Sequence, residues 1–389
     1  MRRSVPRTVM STDLATALDA VPLVDHHCHG VLTRPVDRAE FEDLSTESPW
    51  PAPPGTSGFD SQVGLGILRR CGPLLDLPHD AGPDAYLARR AELGVEEVTR
   101  RLLHAARIDT YLLDTGYRGG DLLDVAAMAQ ATGAHTAEVV RLETVAEAVL
   151  PTLDDPAGFP DAFRAALADA ARGAVGLKSI VAYRHGLDFE PARPTEREAS
   201  AAALAWAAQA RAGGPVRLTD EVLLRFVIWC GVDLALPLQF HVGYGDADVD
   251  LHRCNPLLLT RWLRLTRSTG TDVLLLHCYP YHREAGYLAQ VYPHVYCDVG
   301  LALNYTGAQS GVVLAESLEL TPFGKALFST DAFGLPELYL LGAYWYRRGL
   351  SETLSRWVDR GDLCESDALR IAELVGHANA RRVYRLDGR

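Results

Sequence analysis

Short apolar runs rich in β-branched residues recur along this chain, separated by longer stretches of helical periodicity. This alternation constrains the fold more than any other feature. An apolar run without polar alternation belongs in a strand covered on both faces, the arrangement found in parallel βα units. Thr271-Asp272-Val273-Leu274-Leu275-Leu276-His277 is the clearest case. Eight strands are expected, at about 21–28, 107–113, 138–143, 174–182, 236–242, 272–278, 294–299 and 326–331. Eight in one chain of 389 residues favour a closed (β/α)8 TIM barrel over an open sheet. No GxGxxG turn follows the first run, which weighs against a doubly wound dinucleotide fold.

Two intervals exceed a simple crossover. Residues 31–106 contain a Pro-rich stretch from Pro49 to Pro54, then Gly58–Gly72, then a helical pattern from Asp84 to Arg107. The reading is an insertion after strand 1 that lids the barrel mouth, since βα loops carry a barrel's function. A second insertion between strands 4 and 5 predicts helices around Glu198–Ala212 and Asp220–Trp229. Residues 366–386 read as extra C-terminal helices closing the barrel. The expected organisation is one barrel over residues 1–389, with the 31–106 segment inserted in it.

The chemistry starts at Val24-Asp25-His26-His27-Cys28-His29-Gly30. Strand side chains alternate, so His27 and His29 share a face, and His26 should be packed or hydrogen-bonded on the other. Two imidazoles where a strand meets a loop make half a metal site. Alone, the pair is weak. Lys178, His241, His277 and Asp331, however, each stand at or just past the end of their own apolar run. In a barrel those ends open on one mouth, which gathers residues far apart in sequence.

Composition narrows the partners. Lys plus Arg less Asp plus Glu is 38 − 50 = −12, which argues against a nucleic-acid or anionic-membrane surface. A small-molecule substrate is expected, and homo-oligomers are left open. The seven cysteines contain no CxxC pair, so Cys28, Cys230, Cys278 and Cys297 read as reduced core residues. Met1-Arg2-Arg3 is basic, but Ser11-Thr12-Asp13 stands where a signal peptide needs its apolar segment. A cytoplasmic location is expected.

The order His-x-His, Lys, His, His, Asp resembles the amidohydrolase superfamily of metal-dependent barrels. Within it, the chain is most similar to the amidohydrolase-related group that includes the N-terminal domains of nodulin/glutamine-synthetase-like fusion proteins. The stretches concerned are 176–184, with Gly176-Leu177-Lys178-Ser179, then Phe240-His241-Val242-Gly243-Tyr244-Gly245-Asp246 and His282-Arg283-Glu284. To these add Val295-Tyr296-Cys297-Asp298-Val299-Gly300, Ser329-Thr330-Asp331 and Asn379-Ala380-Arg381-Arg382-Val383-Tyr384. No glutamine-synthetase-like domain is expected after the barrel.

The resemblance implies a divalent ion, zinc in first place, held by His27, His29, His241 and Asp331. It implies hydrolysis of a C–N bond in a small amide, with a γ-glutamyl amide as the suggested substrate. Asp331 would also shuttle the proton, and His277 would steady the carbonyl oxygen. Lys178 is read two ways: carbamylated and bridging two ions, or unmodified beside one ion, which is favoured. Arg184 is a candidate carboxylate clamp, or else an ion pair to a loop acid such as Asp188. Tyr244, Asp246 and Arg283 are further substrate-binding candidates, and Asp114-Thr115-Gly116-Tyr117 could shape the pocket. The alternatives are a metal-dependent decarboxylase of the same superfamily and a metal-bound regulatory module without turnover.

Overall fold

The structure, a computed structural model, describes residues 12–118 and 120–388. Met1-Arg2-Arg3 and Ser11 lie outside them. Seven parallel strands form one sheet in sequence order: β1 Val24–Cys28, β2 Thr110–Asp114, β3 His135–Arg141, β4 Gly176–Ser179, β5 Leu238–Val242, β6 Val273–His277 and β7 Val295–Cys297. Every residue of β1, β2 and β4 to β7 is buried, as the unbroken apolar runs require. β4 is shorter than expected, because Val181–Arg184 turns into a helical loop.

The eighth strand position, 326–331, lies between β7 and β1 but is not a regular ladder. The Leu327 N–H donates to the Cys297 carbonyl at 3.1 Å, and the His26 N–H donates to that of Phe328 at 3.2 Å. These bonds close the sheet into a (β/α)8 barrel. The ladder is interrupted at Thr330, whose N–H and hydroxyl both go to the Asp25 carboxylate on β1, and it resumes where the Asp331 N–H donates to the His27 carbonyl at 3.1 Å. Asp331 follows with φ of 50°, a left-handed turn that Asp tolerates better than most residues. Thr330→Val removes the hydroxyl, which also accepts the Ala332 N–H. It should cost about 1–3 kcal/mol of stability, read as a lower urea midpoint at unchanged m-value.

The far end of the barrel is plugged. The helix Asn379–Tyr384 places Tyr384 against Gly176 at the start of β4, where a Cβ would stand 2.9 Å from the ring. Only glycine permits that approach. The Tyr384 hydroxyl meets His26 Nδ1 at 3.0 Å and accepts from Gln239 Nε2 at 2.7 Å. Around it Val24, Leu112, Val175, Leu274 and Leu276 fill the interior. The C-terminal helices therefore close the N-terminal side, leaving the C-terminal strand ends for a site.

The expected helix from 84 to 107 is two, Pro83–Leu93 and Val95–Ala106, broken at Gly94. The helices expected in the second insertion are present as Glu196–Arg211 and Glu221–Asp233. Among the described residues no helix is long and apolar enough to cross a membrane. All seven cysteines are free, six of them buried.

Candidate active site

The ends of β1 to β6 and the eighth position deliver the polar groups at the mouth. His27 lies within β1 and His29 just past it. Asp114 ends β2, Arg141 ends β3, Lys178 is inside β4, His241 is inside β5, and His277 ends β6. Asp331 comes from the irregular eighth position. Its carboxylate is the hub: Oδ1 lies 3.0 Å from His27 Nε2 and 3.5 Å from His29 Nε2, and Oδ2 lies 3.5 Å from His277 Nδ1. Lys178 Nζ stands 3.3 Å from His27 Nε2.

Second contacts aim these groups. His29 Nδ1 meets the Asp114 carbonyl at 3.0 Å. A carbonyl only accepts, so Nδ1 carries the hydrogen and Nε2 is turned toward Asp331. Asp298 accepts from His26 Nε2 at 2.9 Å and from the His277 N–H at 3.0 Å. It thereby ties β1 to β6 and holds His277 with φ of 69°. As the alternation rule predicts, His26 faces away from the Asp331 hub.

Burial sets the charge states. It lowers His27 to about 3 and His277 to about 4, and it pushes His241 well below its ordinary value. All three are therefore neutral, the ligating form of imidazole. Burial likewise brings Lys178 down to about 8, partly offset by Asp331 and Asp114. For Asp331 burial acts upward, but His277 and the hydrogen bonds from His27 and His29 hold its carboxyl well below the usual range.

The donor set fits a metal ion. The ligand atoms of His27, His29 and Asp331 all lie within 4.8 Å of one another. His241 falls outside that tight group, with its ring 4.7 Å from that of His277. His241 Nε2 and both His277 nitrogens are buried without hydrogen-bond partners. Such atoms each cost about 1–3 kcal/mol when left unmade, and their gathering at one place points to a ligand. The space beside them is kept open at Gly245, where a Cβ would come within 2.9 Å of His241 Nε2 and 2.3 Å of the Tyr183 hydroxyl oxygen.

The site opens on a cavity of about 480 Å³, the size of a small-molecule pocket. Lys178, Arg184, Asp246, His27, His29, His241, His277 and Asp331 all line it. Arg184 pairs with Glu147 at 3.1 Å, not with Asp188, which binds Arg253. Its Nε is buried and unpartnered. Tyr117 also lines the cavity, from the turn after β2.

Two expectations fail. Tyr244 stands behind the wall, with its ring 5.5 Å from that of Tyr305. Arg283 is exposed on the helix His282–Val291 and paired to Glu316 and Glu319, each at 2.9 Å, away from the cavity. Its place in the first helical turn points it at the neighbouring surface helix. The cavity wall also holds Glu47, Tyr183, Arg217 and Tyr305, none of which was singled out from the sequence. Of these, only Tyr183 carried a signal, by standing next to Arg184 after an apolar run.

A family model described as amidohydrolase matches residues 76–386. Protein fluG of Emericella nidulans is 28% identical over 406 aligned residues, covering 94% of this chain and 46% of that protein. The chain thus spans about half the length of this curated relative. A crystal structure of a Lactobacillus casei protein, provisionally named a metal-dependent hydrolase, is 32% identical with a TM-score of 0.85. That match covers 96% of this chain and 98% of the other. A uronate isomerase from Bacillus halodurans shares the fold alone, with a TM-score of 0.66 at 13% identity over 98% of this chain and 97% of its own.

Proposed function

The chain belongs to the amidohydrolase family, and on that footing we propose a metal-dependent hydrolase that cleaves the C–N bond of a small amide, a γ-glutamyl amide in particular. The observation that carries the reading is the set of imidazoles around the Asp331 carboxylate, with three partnerless nitrogens beside it, at a cavity mouth. The γ-glutamyl choice rests on the resemblance to barrels fused with glutamine-synthetase-like domains.

His27, His29, His241 and Asp331 would hold one divalent ion; nitrogen and carboxylate ligands suit zinc. Bound there, the ion supplies Lewis acidity to a water and to the scissile carbonyl. Asp331 takes the proton of the attacking water and returns it to the departing amine. His277, neutral and unpartnered at Nε2, donates to the carbonyl oxygen as negative charge grows there. Lys178 stays unmodified, its ammonium facing the ionised Asp331 and Asp114. Arg184 takes a substrate carboxylate through its free Nε, with Asp246 opposite.

We take residues 31–106 as the lid of a single barrel, because Glu40, Asp43, Leu44 and Thr46 through Pro49 line the cavity. Reduced thiols and the net charge of −12 support a cytoplasmic enzyme of small molecules with no nucleic-acid or membrane partner. The test is a panel of γ-glutamyl amides offered to metal-loaded protein. Free glutamate and amine should appear in equal amounts, chelation should stop the release, and the ion added back should restore it. Carbon dioxide from carboxylated ring acids with no amine formed would instead identify a decarboxylase. Metal and mass analysis should give one ion per chain and an unmodified Lys178.

A further inference from the structure

Among the described residues, three acids of the cavity wall, Asp43, Glu47 and Asp246, have no ion-pair partner. Glu40 is paired with Arg34, and Asp248 with Arg217. Glu47 reaches the same cavity from the 31–106 segment, and among the described residues no ion pair includes it. It shares the cavity wall with Tyr305, Asp246 and Asp331. Burial first, then Asp331 and Asp246, pushes its carboxyl up to about 7. With an ion held at Asp331, a ligand cation beside Glu47 removes the repulsion that Glu47 and Asp246 still share. In the same cavity Arg184 offers its unpartnered Nε, with Arg217 and Arg141 close enough to lower its pKa. Acid and base therefore face a single ligand volume.

We infer that Glu47 and Tyr305 form an ammonium-binding subsite, and that the substrate enters as a zwitterionic amino acid, ammonium on Glu47 and carboxylate on Arg184. This rests on the proposed amide hydrolase and adds where its substrate's ammonium is held. In the occupied subsite Tyr305 donates to one side of the Glu47 carboxylate, leaving its other lone pairs for the ligand's N–H groups. A substrate with a carboxylate but no ammonium would leave Glu47 beside Asp246 without a cation, and the site would reject it. Glu47 is thus a specificity-determining residue and takes no part in bond breaking.

The test uses the metal-loaded protein and calorimetry with L-glutamate and with glutarate, which lacks only the amino group. Glutamate should bind at least about ten-fold more tightly, the worth of a charge-assisted hydrogen bond. Glu47→Gln should close that gap by weakening glutamate while leaving glutarate binding and metal content unchanged. Tyr305→Phe should narrow the gap by a smaller factor. The proposal is overturned by equal affinities in the wild type, by a gap that survives Glu47→Gln, by metal loss in that variant, or by no binding of either ligand. Turnover is scored separately: inert γ-glutamyl amides together with a Glu47-dependent gap would remove the reaction and leave the subsite standing.

Discussion

Asp331→Asn is expected to lower kcat by about three orders of magnitude, within the range for loss of a general base, and to reduce the bound metal as well. Asparagine is the informative replacement. Asp331 has φ of 50°, and asparagine tolerates that left-handed backbone where alanine would add strain. The swap keeps size and turn geometry and removes only the charge and the proton-accepting oxygen. The three imidazoles around it then lose their common acceptor, since Oδ1 serves His27 and His29 and Oδ2 faces His277. Stability should fall as well, because a carboxyl held below its usual range favours the fold when ionised, so urea unfolding is run alongside the kinetics. Metal content by elemental analysis separates the two roles: a variant that keeps its ion yet stays slow has lost the base. A kcat within ten-fold of wild type would end the assignment.

The strand-end histidines were legible because each closes an apolar run of its own, and barrel topology turns sequence order into spatial order. His26 was legible too, through alternation alone. The eighth strand was read correctly as a position and incorrectly as a regular ladder. The hydrogen bond that breaks it comes from the Asp25 side chain, 305 residues away in sequence, and no local pattern carries such a bond. Glu47 and Tyr305 were missed for a related reason. Glu47 follows the short helix Arg38–Asp43 in an irregular stretch, and Tyr305 sits on Gly300–Thr306; neither shows a period that distinguishes a wall residue from a surface one. Arg283 erred the other way. It stands beside a family-like stretch, but only its exposure and its partners Glu316 and Glu319 reveal that it faces solvent.

Glu337→Ala should destabilise the protein by about 3–5 kcal/mol, the cost of orphaning one member of a buried ion pair. Glu337 begins the long helix Pro336–Arg360 and is fully buried. Its Oε1 accepts from Arg90 Nε at 2.8 Å and from the Tyr86 hydroxyl at 2.9 Å. Arg90 in turn lies over the Phe41 ring, 5.3 Å from its centroid, and Phe41 belongs to the helix that leads to Glu47. The pair therefore pins the 31–106 segment to the barrel, and its loss acts on the cavity wall as well as on stability. Urea unfolding should show the lost stability, and limited proteolysis should show new cleavage within residues 31–106. For any substrate that needs Glu47, KM should rise by a larger factor than kcat falls, because the chemical groups stay on the strands. Glu337→Gln keeps the acceptor oxygen and should cost less than Glu337→Ala. Replacing both partners, Arg90→Met with Glu337→Leu, should recover most of the stability, since no charge is then left alone in the core. A Glu337→Ala variant within about 1 kcal/mol of wild type would show that the segment is held by its apolar contacts, Phe41 against Phe59 among them, and that the ion pair only orients it.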